Sequence, residues 1–310
     1  MDIYLPIAGM SVNALVMVLA GAGVGFLSGL FGVGGGFLLT PFLIFYGVPP
    51  AVAVASSAPQ ITGSSVSAVL AHARRGGVDY KMGMALVVGG FIGSALGARL
   101  FRWLQQLGQI DLAIQIVYVL LLGTIGTLMA RDSLRTLRQA RATTDKPRPL
   151  RRAHRHIGVI AGLPMRMKFP ASGLYLSPLA PIILGALVGV LTVIMGVGGG
   201  FVLVPAMVYL LGMSAGVVVG TSLLQIVFVT AVTTLFHAVQ SGTVDIVLAA
   251  LLLLGGVVGA QYGARAARKL PAEKLRLGLA VVLLAFATRL VLQLTYRPGE
   301  LFSVSIDEGA

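Results

Sequence analysis

Two copies of the pentapeptide Gly-Val-Gly-Gly-Gly, at residues 32–36 and 196–200, are the part of this sequence best suited to chemistry. Successive glycines let consecutive backbone N–H groups converge as an anion-binding nest. A helix beginning near Phe37 or Phe201 would add the positive end of its dipole. Gly32, Gly34, Gly35 and Gly36 in the first copy, and Gly196, Gly198, Gly199 and Gly200 in the second, are therefore candidates for binding a small anion. Glycines in apolar helices also serve close packing, and Gly21, Gly25 and Gly29, spaced by four, read that way.

Polar residues inside apolar surroundings form a second set. Ser56, Ser57 and Gln60 recur as Thr221, Ser222 and Gln225. On a helix, residue 56 or 221 lies one turn from the glutamine on the same face. A glutamine amide offers two donors and an acceptor without a permanent charge, which suits an oxyanion. The competing use is an interhelical hydrogen bond worth at most about 1–2 kcal/mol. Pro59 removes a helix hydrogen bond beside Gln60 while Leu224 stands at the matching place, so a site using that freed carbonyl would differ between the halves. His72 and His237 also recur. They are candidates for a proton or gating role because imidazole titrates near neutrality, and their nearness to polar loops equally suits interfacial histidines. Asp79 and Asp245 recur as expected helix N-caps at the membrane surface.

Other chemistries lack their residues. The chain has no cysteine, so thiolate catalysis and Cys-built metal sites are excluded. His154 and His156 stand two apart with no adjacent acidic ligand, and no glycine run continues to Gly-Lys-Ser or Gly-Lys-Thr. The sequence calls for no cofactor and gives no sign of an enzyme or of an ATP-driven pump.

The elements that position these residues are membrane helices. Of 310 residues, 57% are hydrophobic and 11% charged, against roughly 25% charged in soluble domains. Residues 3–73 and 169–244 contain no Asp, Glu, Lys or Arg. A spanning helix needs about 20 apolar residues, so each run holds two or more passes. Apolar elements fall at 13–31, 37–46, 51–73, 82–98, 112–130, 177–195, 201–211, 215–237, 246–264 and 275–295, without the period-two polarity of barrel strands. Residues 13–46 as one helix would run about 51 Å, beyond a hydrocarbon core of roughly 30 Å, so the glycine run must break it. Arg289 lies within the last element and must snorkel or face the bundle interior.

The chain is a tandem repeat. Residues 25–41, GFLSGLFGVGGGFLLTP, match 189–205, GVLTVIMGVGGGFVLVP, at an offset of 164. The offset becomes 165 at Gln60 and Gln225, then 166 at Gly97-Ala98-Arg99 and Gly263-Ala264-Arg265. The expected fold is an all-α polytopic membrane protein of about eight transmembrane helices. Two homologous four-helix repeats, 12–130 and 178–296, have Gly-rich broken first elements and are joined by a linker at 131–177. Matched interruptions in both halves point to a secondary transporter with its site at the repeat interface.

These duplicated motifs resemble the sulfite exporter TauE/SafE family of membrane permeases, over nearly the whole chain outside the linker. The resemblance implies about eight helices, an inner-membrane location and transport of small sulfur-containing anions such as sulfite or organosulfonates. Two alternatives stay open: an anion channel using the same site, and a membrane interaction protein whose glycines only pack helices.

Net charge is +13, and residues 131–168 hold eleven Lys or Arg against Asp132 and Asp145. A basic segment between apolar blocks reads as a cytoplasmic signal and a partner for anionic lipids, not as a nucleic-acid surface. Besides those lipids, the expected partner is a small anionic substrate, with any coupling ion unidentified. Four crossings counted back from the linker put the N-terminus in the cytoplasm. Four counted forward put Arg265, Arg268, Lys269, Lys274 and Arg276 outside, against the positive-inside pattern. A re-entrant hairpin over 37–59 would change the parity and bring that cluster back inside, so the sequence leaves parallel and inverted repeats both open.

Overall fold

The computed structural model describes residues 2–31, 36–74, 76–142, 167–267 and 272–295. The expected break at Gly32, Gly34 and Gly35 falls outside them, as do residues 143–166 of the basic linker.

Each half opens with a β-hairpin. Strands β1 (Asp2–Leu5) and β2 (Met10–Asn13) pair antiparallel, as do β3 (Met167–Phe169) and β4 (Leu174–Leu176). The turns begin at Pro6 and Pro170 and close on Gly9 and Gly173, whose φ values of +66° and +65° place both in the left-handed region glycine favours. The second hairpin lies within the segment read from sequence as linker.

The helices follow the apolar pattern. The first half carries α1 (Ala14–Phe31), α2 (Gly36–Tyr46), α3 (Pro50–Ala73), α4 (Tyr80–Gln106) and α5 (Ile110–Ala142). The second carries α6 (Leu179–Met195), α7 (Gly200–Tyr209), α8 (Ala215–Phe236), α9 (Ile246–Ala267) and α10 (Ala272–Thr295). A π-helical turn, His237–Ser241, ends α8. Among the described residues four segments are long and apolar enough to span a bilayer: Tyr80–Gln106, Ile110–Arg131, Gly216–Ser241 and Ile246–Gly263.

Helix contacts obey a twofold relation: α1 packs on α9 as α6 packs on α4, while α3 meets α8 and α5 meets α10. The first two pairs are in backbone contact, which glycine alone permits. A Cβ at Gly255, Gly259 or Gly263 would collide with the carbonyl of Val18, Ala22 or Phe26, and one at Gly89 or Gly93 with that of Ile182 or Ala186, while one at Gly97 would press on Val190 at 3.1 Å. Gly21 and Gly25 take part in the first pair, as their spacing predicts. Numbers rise together along both pairs, so each is parallel.

The central pair is antiparallel. Near the start of α3, Ser56 Oγ accepts from Asp245 N at 3.0 Å, just beyond α8. Midway, Thr62 and Thr230 hydroxyls are 2.7 Å apart. Beyond the end of α3, Asp79 N donates to Thr221 Oγ1 at 2.9 Å, near the start of α8. Equivalent helices of the two halves therefore run in opposite directions, and the repeats are inverted.

The directions of α2 and α7 supply the odd parity. Thr40 Oγ1 lies 3.1 Å from Ser57 Oγ, while Gly36 abuts Ile61, so α2 runs antiparallel to α3. Gly199 folds back against Val188 and Thr192, turning α7 alongside α6. The first element of the second half is a helical hairpin rather than a kinked rod. The hairpin β1–β2 is then at the Asp245 end, where Ile7 N donates to Asp245 Oδ2 at 3.0 Å. At the Asp79 end, Ser172 N and Oγ donate to Asp79 Oδ2 at 2.9 and 2.6 Å. About 36 Å of α3 separates these ends, since 24 residues rise roughly 1.5 Å each. The N-terminal strand and the segment that follows the linker thus lie at opposite ends, which corrects the even-crossing count that put the N-terminus with the linker.

Candidate functional site

The second glycine run is built by two left-handed residues in succession. Gly196 caps α6 with φ +65°, and Gly198 and Gly199 both have φ +72° before α7 begins. Gly196 N still donates to Thr192 O at 2.8 Å, and the next helix bonds start at Val202 and Leu203, both donating to Gly199 O. The N–H groups of Val197, Gly198, Gly199, Gly200 and Phe201 find no acceptor among the described residues. All five residues are buried. Buried amides without partners are rare, so a run of them is an electropositive cradle for an acceptor.

Gly36, which ends the first glycine run and opens α2, lies against the second run. A Cβ on Gly36 would lie 2.7 Å from Gly196 O and 2.9 Å from Val197 Cα. The first aromatic residues of the half-helices, Phe37 and Phe201, stand 5.8 Å apart between ring centroids. Ile61 from α3, with Ile226 and Thr230 from α8, walls Gly198, each within 2.9–3.2 Å of where its Cβ would be. Thr62 and Thr230 escaped the sequence reading because the repeat pairs them with Val227 and Ser65, so their 2.7 Å approach across the axis has no signature in the alignment.

Gln60 and Gln225 are fully buried, and neither amide nitrogen nor oxygen has a partner among the described residues. Gln60 lies over Gly256 of α9 and Gln225 over Gly90 of α4, so each reaches across the repeat boundary at a place opened by glycine. The hydroxyls beside them are committed elsewhere. Ser56 and Thr221 hold the starts of α9 and α4, Ser57 donates to Ala53 O at 2.6 Å, and Ser222 donates to Val219 O at 2.9 Å.

The capping expectation for Asp79 and Asp245 holds, since their Oδ1 atoms accept from Met82 N and Leu248 N at 3.1 Å. Both are buried under the opposite half's hairpin. His72 ends α3 and is half-buried. His237 is buried, its Nε2 is 3.0 Å from Val193 O and its ring packs edge-on against Phe101 at 4.6 Å. That corrects the interfacial reading for His237. Tyr118, also missed from sequence, donates its hydroxyl to Met195 O at 2.5 Å. His237 and Tyr118 therefore brace the last turn of α6 directly before the break.

No cluster of three metal-ligating side chains occurs among the described residues. The family model for Sulfite exporter TauE/SafE matches residues 17–290. A Probable membrane transporter protein of Xylella fastidiosa (strain 9a5c) is 30% identical over 268 residues, covering 86% of this chain and 89% of that one. Bacillus subtilis (strain 168) has two more relatives. Probable membrane transporter protein YunE is 28% identical over 89% of this chain and 97% of its own, and YjnA is 27% identical over 91% and 100%. No solved structure matches the chain. Apolar helices long enough to span a bilayer and a family match over residues 17–290 make this chain a multi-pass inner-membrane member of the Sulfite exporter TauE/SafE family.

Proposed function

We propose that the chain is a secondary carrier of a small sulfur-containing oxyanion, sulfite or an organosulfonate, with exchange by alternating access around the paired breaks. The observation that carries this reading is the run of five amides from Val197 to Phe201, in buried residues, that find no acceptor among the described residues. Amide donors attract an oxyanion through oriented dipoles while adding no fixed charge, so the anion can leave on the far side. Gln60 and Gln225 add two uncharged donor–acceptor groups at the repeat boundary. Gly32, Gly34, Gly35 and Gly36 form the corresponding half of the site, and Ser56, Ser57, Thr221 and Ser222 act as its supports. The repeats comprise four elements each, 12–130 and 178–296, with α1–α2 and α6–α7 as the broken first elements, and each is preceded by its own hairpin.

Counterflow in proteoliposomes tests the mechanism: unlabelled sulfite inside should accelerate entry of labelled sulfite. Conductance at channel rates without acceleration would overturn the carrier reading. Gln60→Leu and Gln225→Leu should each weaken sulfite affinity at least tenfold at normal abundance, since each removes an amide donor to a charged oxygen, a bond worth roughly 1.5–3 kcal/mol. Unchanged affinity in purified variants would assign both glutamines to packing.

The inverted arrangement also suits the charge pattern. Arg74, Lys81, Arg131, Lys168, Arg265, Lys274 and Arg276 belong to the Asp79 end, whereas Arg99, Arg102 and Arg289 lie toward the Asp245 end. Both basic clusters then face the cytoplasm. The chain lacks cysteine, so single cysteines report topology directly. In spheroplasts, an impermeant thiol reagent should label Tyr4→Cys in the first hairpin and should label Ala142→Cys at the end of α5 only after permeabilisation. The reverse pattern would overturn this orientation.

A further inference from the structure

A second site lies on the outer face of the bundle, between α2 and α10. Phe42, Phe45 and Tyr46 with Ala285, Phe286 and Arg289 line a cavity of about 330 Å³. The Arg289 guanidinium stands 4.5 Å over the Phe45 ring, and Phe286 stacks on the same ring at 5.7 Å. Arg289 is exposed, so it faces outward rather than into the bundle. No carboxylate bonds to it among the described residues. Val281, Val291 and Leu292 around it are exposed apolar side chains, as befits a helix against lipid. An arginine on the outer face of a membrane helix carries its charge toward the interface, where anionic headgroups are partners of opposite charge.

Depth and asymmetry narrow that partner. Tyr46, the last residue of α2, lines the cavity, so the cavity sits toward the Asp245 end of the bundle and not at its middle. The fold does not require it, because the second half has Ala206 and Tyr209 where the first has Phe42 and Phe45, and residues 112–130 of α5 carry no charge. A packing device inherited with the repeat would be present twice.

We infer that this cavity holds one anionic phospholipid, its phosphodiester on the Arg289 guanidinium and its glycerol and upper acyl carbons against Phe42, Phe45 and Tyr46. The site is distinct from the basic linker and, in the orientation proposed above, belongs to the opposite leaflet. A guanidinium matches a phosphate through paired donors, and the ring stack beneath it holds its plane.

The test uses the full chain in mild detergent with native mass spectrometry, titrated with phosphatidylglycerol or phosphatidylcholine. The wild type should retain one phosphatidylglycerol at concentrations where phosphatidylcholine is lost, and inorganic phosphate should not displace it. Arg289→Gln should weaken phosphatidylglycerol binding at least tenfold. Phe45→Leu, which keeps the charge but removes its platform, should weaken it several-fold and serves if Arg289→Gln does not fold. Equal binding by wild type and the folded variants would overturn the proposal. Displacement by inorganic phosphate, assigning the cavity to a free anion, would do so too, as would a dimer that the substitutions dissociate, assigning it to a second copy.

Discussion

Gly198→Val is expected to abolish anion exchange. At φ +72° a side chain incurs roughly 1–2 kcal/mol of left-handed strain, and β-branching adds to it. The first side-chain carbon would also stand 2.9–3.2 Å from Ile61, Ile226 and Thr230, on the wall of the cradle. The turn can relieve both only by rotating its peptides, which re-aims the Gly198 and Gly199 amides. The helices on either side retain their own contacts, so insertion should survive while exchange falls to background. Gly198→Ala carries the same backbone strain with less bulk and should exchange at under a tenth of the wild-type rate. Gly34→Val should act alike on the other half. Wild-type counterflow by a folded Gly198→Val protein would remove the second break from the site.

How far the sequence foretold this architecture differs from element to element. Among the described residues the apolar runs located all ten helices within a few residues in most cases, because a helix against lipid must be apolar for its whole length. Ends were less legible: α4 continues to Gln106 and α5 to Ala142, where charged residues coexist with helix once the chain leaves the apolar layer. The repeat offset located the break at 196–199, but not the reversal of chain direction there, because a glycine run permits a kink and a hairpin alike. That one undetermined angle decided the parity, and with it the orientation of the entire second half. The hairpins were missed for a related reason: Pro6 and Gly9 recur as Pro170 and Gly173, but four-residue strands have too few side chains for period-two polarity to register. Asp79 and Asp245 were legible as caps. Their bonds to the opposite half's hairpin are long-range contacts that no local pattern encodes.

Gly93→Leu should have the largest effect on the fold itself. The α4–α6 pair, like α1–α9, has no hydrophobic driving force in lipid and holds by close backbone approach. Gly89, Gly93 and Gly97 line one face of α4 at intervals of four, and a Cβ at Gly93 would overlap the Ala186 carbonyl. Backbone cannot step aside as a side chain can, so the helices must separate along the contact. Overpacking typically costs about 1–3 kcal/mol where side chains can shift, and this site should exceed that range. Since α4 joins the first half to α6 of the second, separation would also disturb the Asp79 cap and the Gln225 contact with Gly90. Purified Gly93→Leu should therefore unfold at least 10 °C below the wild type or fail to accumulate. Gly123→Leu, in α5, has no atom within 4 Å of its Cβ and should accumulate normally. Equal thermal stability of the two variants would show that the interface of α4 and α6 tolerates separation, and that the repeats are held together chiefly by α3 against α8 and α5 against α10.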